Sequence, residues 1–214
     1  MIFITSDAHF GHERIIEYES RPFSSLADMN TGMLHNWNRV VSSDDIVINL
    51  GDFSLMNPFM TIELCQNLNG QIILINGNHD CRTRKFWEER AGILKWFKRP
   101  QYFNGIWLTH MVDWKDLGNT LPKIWTGKLD YVEIKPEDVV LHGHCHGKIK
   151  RFGQFINVGV DGWDFCPVPI SRIVKPAAEQ HIKNWVDKIE RESHAGSNGH
   201  VDAEFWTDRL NAGE

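Results

Sequence analysis

No apolar stretch in this 214-residue chain approaches the roughly 20 residues of a membrane-spanning helix. The opening, MIFITSDAHF, lacks a basic leader and reaches Asp7 too early for a secretory signal. The expectation is a cytoplasmic protein with no membrane partner. Cysteine is sparse and scattered: Cys65, Cys81, Cys145 and Cys166 form no CxxC pair, so they read as reduced thiols and not as a disulfide framework. Basic runs are missing as well. Nothing exceeds pairs such as Lys150-Arg151, and the net charge is -5, which argues against extended nucleic acid as a partner because such binders carry a basic stripe. Internal repeats and a compositional break between domains are also absent.

What remains is an ordinary globular balance of 42% apolar and 24% charged residues, enough for one core. Against that background, eleven histidines and nine tryptophans stand out. Residues 2–6 (IFITS), 45–50 (DIVINL) and 71–76 (QIILIN) are short apolar runs that read as buried strands. Between them, apolar residues at helical spacing predict a helix over 25–41, opened by Ser25 with Asp28 as a capping box. A second helix is predicted from Asn57-Pro58 to about Leu68. The order β-α-β-α-β indicates an α/β layered fold. A helical patch near 83–97 follows, then a hairpin over 101–109 with Asn104-Gly105 as a type I′ turn. Further strands are expected at 138–142, 149–160 and 168–174, with a helix over 177–192. The domain is expected to span 1–192. Residues 193–214 would form a linker and a short C-terminal helix, docked through Phe205, Trp206 and Leu210.

Polar clusters stand where strands run out: Asp7-x-His9, Gly51-Asp52, Gly77-Asn78-His79-Asp80, His110 and Gly143-His144-x-His146. In open α/β sheets, ligand sites gather at the carboxyl ends of strands. In extended backbone, residues i and i+2 point to the same side, so Asp7 with His9 and His144 with His146 can each aim two side chains at one volume. Each cluster alone is ordinary; together and in this order they read as a metal-ligand set. The mixture of oxygen and imidazole donors suits manganese, iron, zinc or nickel better than calcium or magnesium. Cys145 alternates away from its neighbours and is excluded as a ligand.

The series DxH…GD…GNHD…H…GHxH resembles the calcineurin-like metallophosphoesterases, over residues 2 to about 175. The fuller opening, DAHFGH, is similar to a small bacterial and phage branch of that superfamily. The resemblance implies a two-sheet sandwich flanked by helices, in four α/β/β/α layers. It implies two divalent ions, manganese foremost. Asp7, His9 and His146 would hold the first, Asn78, His110 and His144 the second, with Asp52 bridging and His79 beside the substrate as the catalytic group. The implied reaction is hydrolysis of a phosphodiester or phosphomonoester of a small molecule, such as a nucleotide, by a metal-bridging hydroxide. Phosphoprotein phosphatases carry GDxxDRG, whereas Leu55 stands here where the second Asp would fall, which argues against that branch.

Further candidates around the site are His12, Arg21 and Arg82 as contacts to the substrate phosphate. Asp80 either orients His79 or faces away, and Asn157 either secures a loop beside the metals or simply ends a strand. Two alternatives accompany the phosphoesterase reading: a nuclease acting on nucleic-acid ends, and a non-catalytic scaffold that kept the fold. The sequence sets no oligomeric state.

Overall fold

The computed structural model describes residues 1–113, 123–125, 131–147 and 150–195. Two five-stranded sheets organise the chain. In the first, β1 (Ile2–Thr5), β2 (Ile46–Asn49), β3 (Gln71–Ile75) and β4 (Lys95–Phe97) run parallel, and β13 (Val168–Pro169) adds antiparallel to β1. In the second, β6 (Ile106–Leu108), β10 (Val139–His142) and β12 (Phe155–Asn157) run parallel, edged by antiparallel β5 (Gln101–Phe103) and β11 (Arg151–Phe152). A small third sheet joins β7 (Val112–Asp113), β8 (Lys123–Trp125) and β9 (Tyr131–Glu133).

The period-two alternation of side chains explains the layering. Ile4, Ile48, Ile73 and Ile75 of the first sheet share one buried cluster with Ile106, Leu108, Leu141 and Ile156 of the second. Their strand neighbours Phe3, Val47, Ile72 and Leu74 face the other way, into a cluster with Ile15 of the short helix α1 (Ile15–Tyr18), Met29, Met33 and Trp37 of helix α2 (Leu26–Val40) and Leu64 of α3 (Pro58–Asn67). Trp107, Val140 and Phe155 cover the outer face of the second sheet with Val112, Ile124 and Ile134. Among the described residues, that outer face is therefore covered by the small sheet and its flanks. Helix α4 (Pro176–Ala195) instead sends Ile182, Val186 and Ile189 into the core between the sheets.

Local chemistry sets the helix starts. The Ser25 hydroxyl accepts the Asp28 N–H, and the Asp28 carboxylate accepts from the N–H and hydroxyl of Ser24, so the capping box closes one residue earlier than expected. Asn57 accepts from the Met60 N–H, with Pro58 at the first helical position. The hairpin turn has both Asn104 (φ 48°) and Gly105 (φ 77°) in the left-handed region, as type I′ demands.

Three expectations are corrected. Only Lys85–Arg90 of the 83–97 patch is helical, a single wide turn closed by the Ala91 N–H on Phe86 O. Residues 95–97 instead form the fourth parallel strand, because alternation over three residues is too short to distinguish from a helix edge. The helix expected over 177–192 is α4, which continues through Ser193 and His194 to Ala195. The proposed helix over 201–211 lies outside the described residues. No helix among the described residues is long and apolar enough to cross a membrane.

Ile48 is fully buried between the sheets. Ile48→Ala should cost about 2–5 kcal/mol in urea unfolding, the usual range for such a cavity. A loss below about 1 kcal/mol would mean that the two sheets do not share a close-packed core.

Candidate metal centre

All six parallel strands with a following polar segment point their carboxyl ends at one place. β1 delivers Asp7 and His9, β2 delivers Asp52, β3 delivers Asn78 and His79, β6 delivers His110, β10 delivers His144 and His146, and β12 leads to Asp161. The two sheets are joined there. Val160 N–H donates to Ser6 O and His144 N–H to the Asp7 carboxylate across the sheets, while Gly143 N–H to His110 O and Asp7 N–H to Gly51 O tie neighbouring loops within each sheet.

To place side chains immediately after a strand, the backbone must turn within one residue. Asp7 (φ 59°), His9 (51°), Asp52 (52°), His144 (68°) and His146 (45°) all occupy the left-handed region, an uncommon and costly state for non-glycine residues that concentrates at functional sites. Two glycines permit the close approach. A Cβ at Gly77 would overlap the Asp52 carboxylate and backbone N, and one at Gly143 would overlap Ser6 Oγ and the Asp7 carboxylate.

Two donor groups result. One ligand atom each from Asp7, His9 and His146 lies within 4.8 Å of the others, and the same holds for Asp52, His110 and His144. Asn78 Oδ1 is 2.9 Å from His110 Nε2, so it joins the second group. Asp52 Oδ2 lies 3.5 Å from His9 Nε2 and 3.2 Å from His110 Nε2, between the two.

The donor set fits divalent cations. Asp7 and Asp52 are 0% and 1% exposed, and buried carboxylates require compensating charge. The His110 Nδ1–H donates to Leu50 O (2.9 Å), which leaves Nε2 facing the oxygens of Asn78 and Asp52. Three acceptors converging on one point require a proton or a metal between them. Burial lowers the His9 imidazole to about 3, which keeps its lone pair free at neutral pH. Burial also opposes the charged form of His110, but the Asp52 hydrogen bond and the Asp7 charge outweigh it and hold that ring protonated. The carboxylates that hold this proton would equally hold an ion.

The remaining candidates divide. His12 lies at the rim, its ring 5.6 Å edge-on from His9 and 6.4 Å from His79. His79 is exposed at the opening, 5.3 Å from the His9 ring, with its backbone N–H on Asp52 Oδ1 (2.8 Å). Arg21 is turned inward. It is 4% exposed, and its guanidinium donates to both Asp161 oxygens (2.8 and 2.9 Å), to Asp7 O and to Ala8 O. Arg82 donates to Met56 O and lies 4.8 Å over the Phe86 ring, so its guanidinium is engaged beside the GD loop. Asn157 secures the GHxH loop, donating to Gly147 O and accepting from Gly159 N–H.

Asp80 faces away from His79. Its two oxygens accept the N–H groups of Asp52 (2.7 Å), Phe53 (3.0 Å) and Gly77 (2.9 Å) and so pin the GD and GNHD loops together. Burial pushes its carboxyl above the ordinary range while the Gly77 and Phe53 donors pull against that. Asp161 was the residue that motif reading missed. It accepts from His146 Nδ1 (3.0 Å), and the one available signal was an acid following strand β12 in NVGVD.

No known family model matches the chain. It is 35% identical over 185 residues to the uncharacterised protein MJ1445 of Methanocaldococcus jannaschii, covering 81% of this chain and 89% of that one. The chain belongs to the MJ1445 family. The fold of this chain is similar to that of the protein of unknown function AQ665 from Aquifex aeolicus, whose crystal structure matches it with a TM-score of 0.57 at 21% identity, over 81% of this chain and 97% of that one.

Asp80→Ala would strand three buried N–H groups, so it should lower unfolding free energy by at least about 2 kcal/mol. Urea titration reads this directly. A neutral result would mean that the two loops hold their conformation without the carboxylate.

Proposed function

We propose that this chain is a binuclear metal-dependent phosphoesterase of the calcineurin-like superfamily, built on the four-layer fold of that superfamily with the small third sheet where the second helical layer is expected. Its substrate is a small phosphate ester, such as a nucleotide. The observation that carries the reading is the two adjoining donor groups, Asp7/His9/His146 and Asp52/His110/His144 with Asn78, meeting at the Asp52 carboxylate. Divalent ions bound there would supply Lewis-acid charge to a phosphoryl oxygen and lower the pKa of a water.

The chain's own residues account for the rest. Asp52 keeps both donor groups in register, because its Oδ2 lies between them while its Oδ1 accepts the His79 N–H. His79 at the opening would hold a proton on its imidazole and pass it to the leaving oxygen, the work of a general acid. His12, beside it, would present a polar edge to the phosphate. Arg21 and Asp80 do not meet substrate; they hold the loops that carry the ligands.

Manganese is the first metal to test, with iron, zinc and nickel as the alternatives. Bis-p-nitrophenyl phosphate and p-nitrophenyl phosphate should be hydrolysed in the presence of manganese and not in EDTA, and the preferred ester assigns diester or monoester chemistry. His79→Ala should leave metal content intact and slow turnover by about 10²–10⁴-fold. Metal retained with neither ester turned over would favour a non-catalytic scaffold, and a near-normal variant rate would remove His79 from the mechanism.

Asp52→Asn should lower the metal content of both donor groups, measured by mass spectrometry on stripped and reloaded protein. Unchanged stoichiometry would show that Asp52 is not shared.

A further inference from the structure

The two donor groups are supported unequally. In the second group, His110 is oriented by a neutral backbone carbonyl, Leu50 O. In the first, His146 Nδ1–H donates to a carboxylate, Asp161 Oδ2 at 3.0 Å. Asp161 is in turn held by Arg21, whose Nε and Nη2 bond its two oxygens at 2.8 and 2.9 Å. A bidentate pair fixes both the plane and the direction of the carboxylate. The Arg21 side chain is itself sealed from water, and its remaining donors hold Ala8 O (2.9 Å) and Asp7 O (2.8 Å). One arginine therefore fixes the backbone that carries Asp7 and His9 and, through Asp161, the ring of His146. These are the three residues of the first donor group and none of the second.

We propose that Asp161, locked by Arg21, is a positioning residue that makes the Asp7/His9/His146 site the tighter of the two and the one that fills first. An anionic partner behind a ligating imidazole fixes its tautomer and raises its basicity, and losing such a partner costs 10–100-fold in metal affinity in known sites. A neutral carbonyl behind His110 fixes the tautomer with less charge to add. Arg21 keeps the Asp161 carboxylate aimed without itself belonging to the donor group. The inference rests on the two-ion reading of this centre.

Calorimetric titration of manganese into metal-free protein tests it without any activity readout. Wild type should bind in two resolved steps, with His146→Ala removing the tight step and His110→Ala the weak one. Asp161→Asn keeps an acceptor for His146 but removes the charge, and it should weaken the tight step about 10–100-fold while leaving the weak step in place. Arg21→Lys, which keeps a charge but not the fork, should move the same step in the same direction by less. Circular dichroism and thermal unfolding of the metal-free variants identify any that are misfolded, and the comparison is then made on the variant that folds. An unchanged tight step in a folded variant, or equal weakening of both steps, overturns the inference and leaves the two-ion reading standing. Wild type that binds no ion overturns both.

Discussion

Asp7 and Asp52 are carboxylates removed from water at the point where two sheets meet, and the surrounding structure is organised to make that tolerable. A buried anion without compensation is among the costliest features a small protein can carry. Neither residue sits in a strand. Each comes one to three residues after one, in a left-handed backbone conformation that most side chains avoid. Strain of about 1–3 kcal/mol per such residue persists only where surrounding contacts over-determine it. Here those contacts are the N–H groups that converge on the carboxylates, His144 N on Asp7 and His79 N on Asp52, and the glycines that let neighbouring segments come close enough to donate.

The same constraint explains why acids without a direct place in the donor groups are buried nearby. Asp80 ties three backbone N–H groups and so fixes the distance between the loops after β2 and β3. Asp161 and Arg21 do the corresponding work between the loops after β1, β10 and β12. The two devices differ in kind. Asp80 uses a carboxylate to organise neutral backbone, whereas the Arg21–Asp161 pair brings its own counter-charge. Because the pair is internally neutral, it can be buried without adding to the negative charge already concentrated at Asp7 and Asp52.

Most of this centre was legible in the sequence because its ligands occur as short local patterns at strand ends. Asp7-x-His9 and His144-x-His146 could be read from spacing, Asn78 from the polar cluster that ends its strand, and the first three parallel strands from apolar runs of five or six residues. The supporting shell was not. Arg21 and Asp161 are 140 residues apart, and nothing local marks either as half of a pair. Arg21 therefore read as a substrate contact, since a motif reader expects an arginine near a phosphate site to face the phosphate. The short strand β4 and the third sheet escaped for a different reason: strands of two or three residues are set by the edge they pair with, and not by their own periodicity.

The departure from GDxxDRG has a structural counterpart that bears on how the proposed reaction would be run. In that pattern a second acid supports the catalytic histidine. Here Leu55 stands in its place, and the acid adjoining His79, Asp80, turns inward to the backbone. The His79 backbone is held by its own N–H on Asp52 Oδ1 and by the Cys81 N–H on its carbonyl, while its ring lies beside those of His9 and His12. The carboxylate between the two donor groups is thus also an anchor of the proposed proton donor. In the proposed reaction, positioning of the acid and binding of the ions would depend on the same two oxygen atoms. The imidazole itself is exposed beside the two donor groups, where a leaving group would arrive in the proposed reaction.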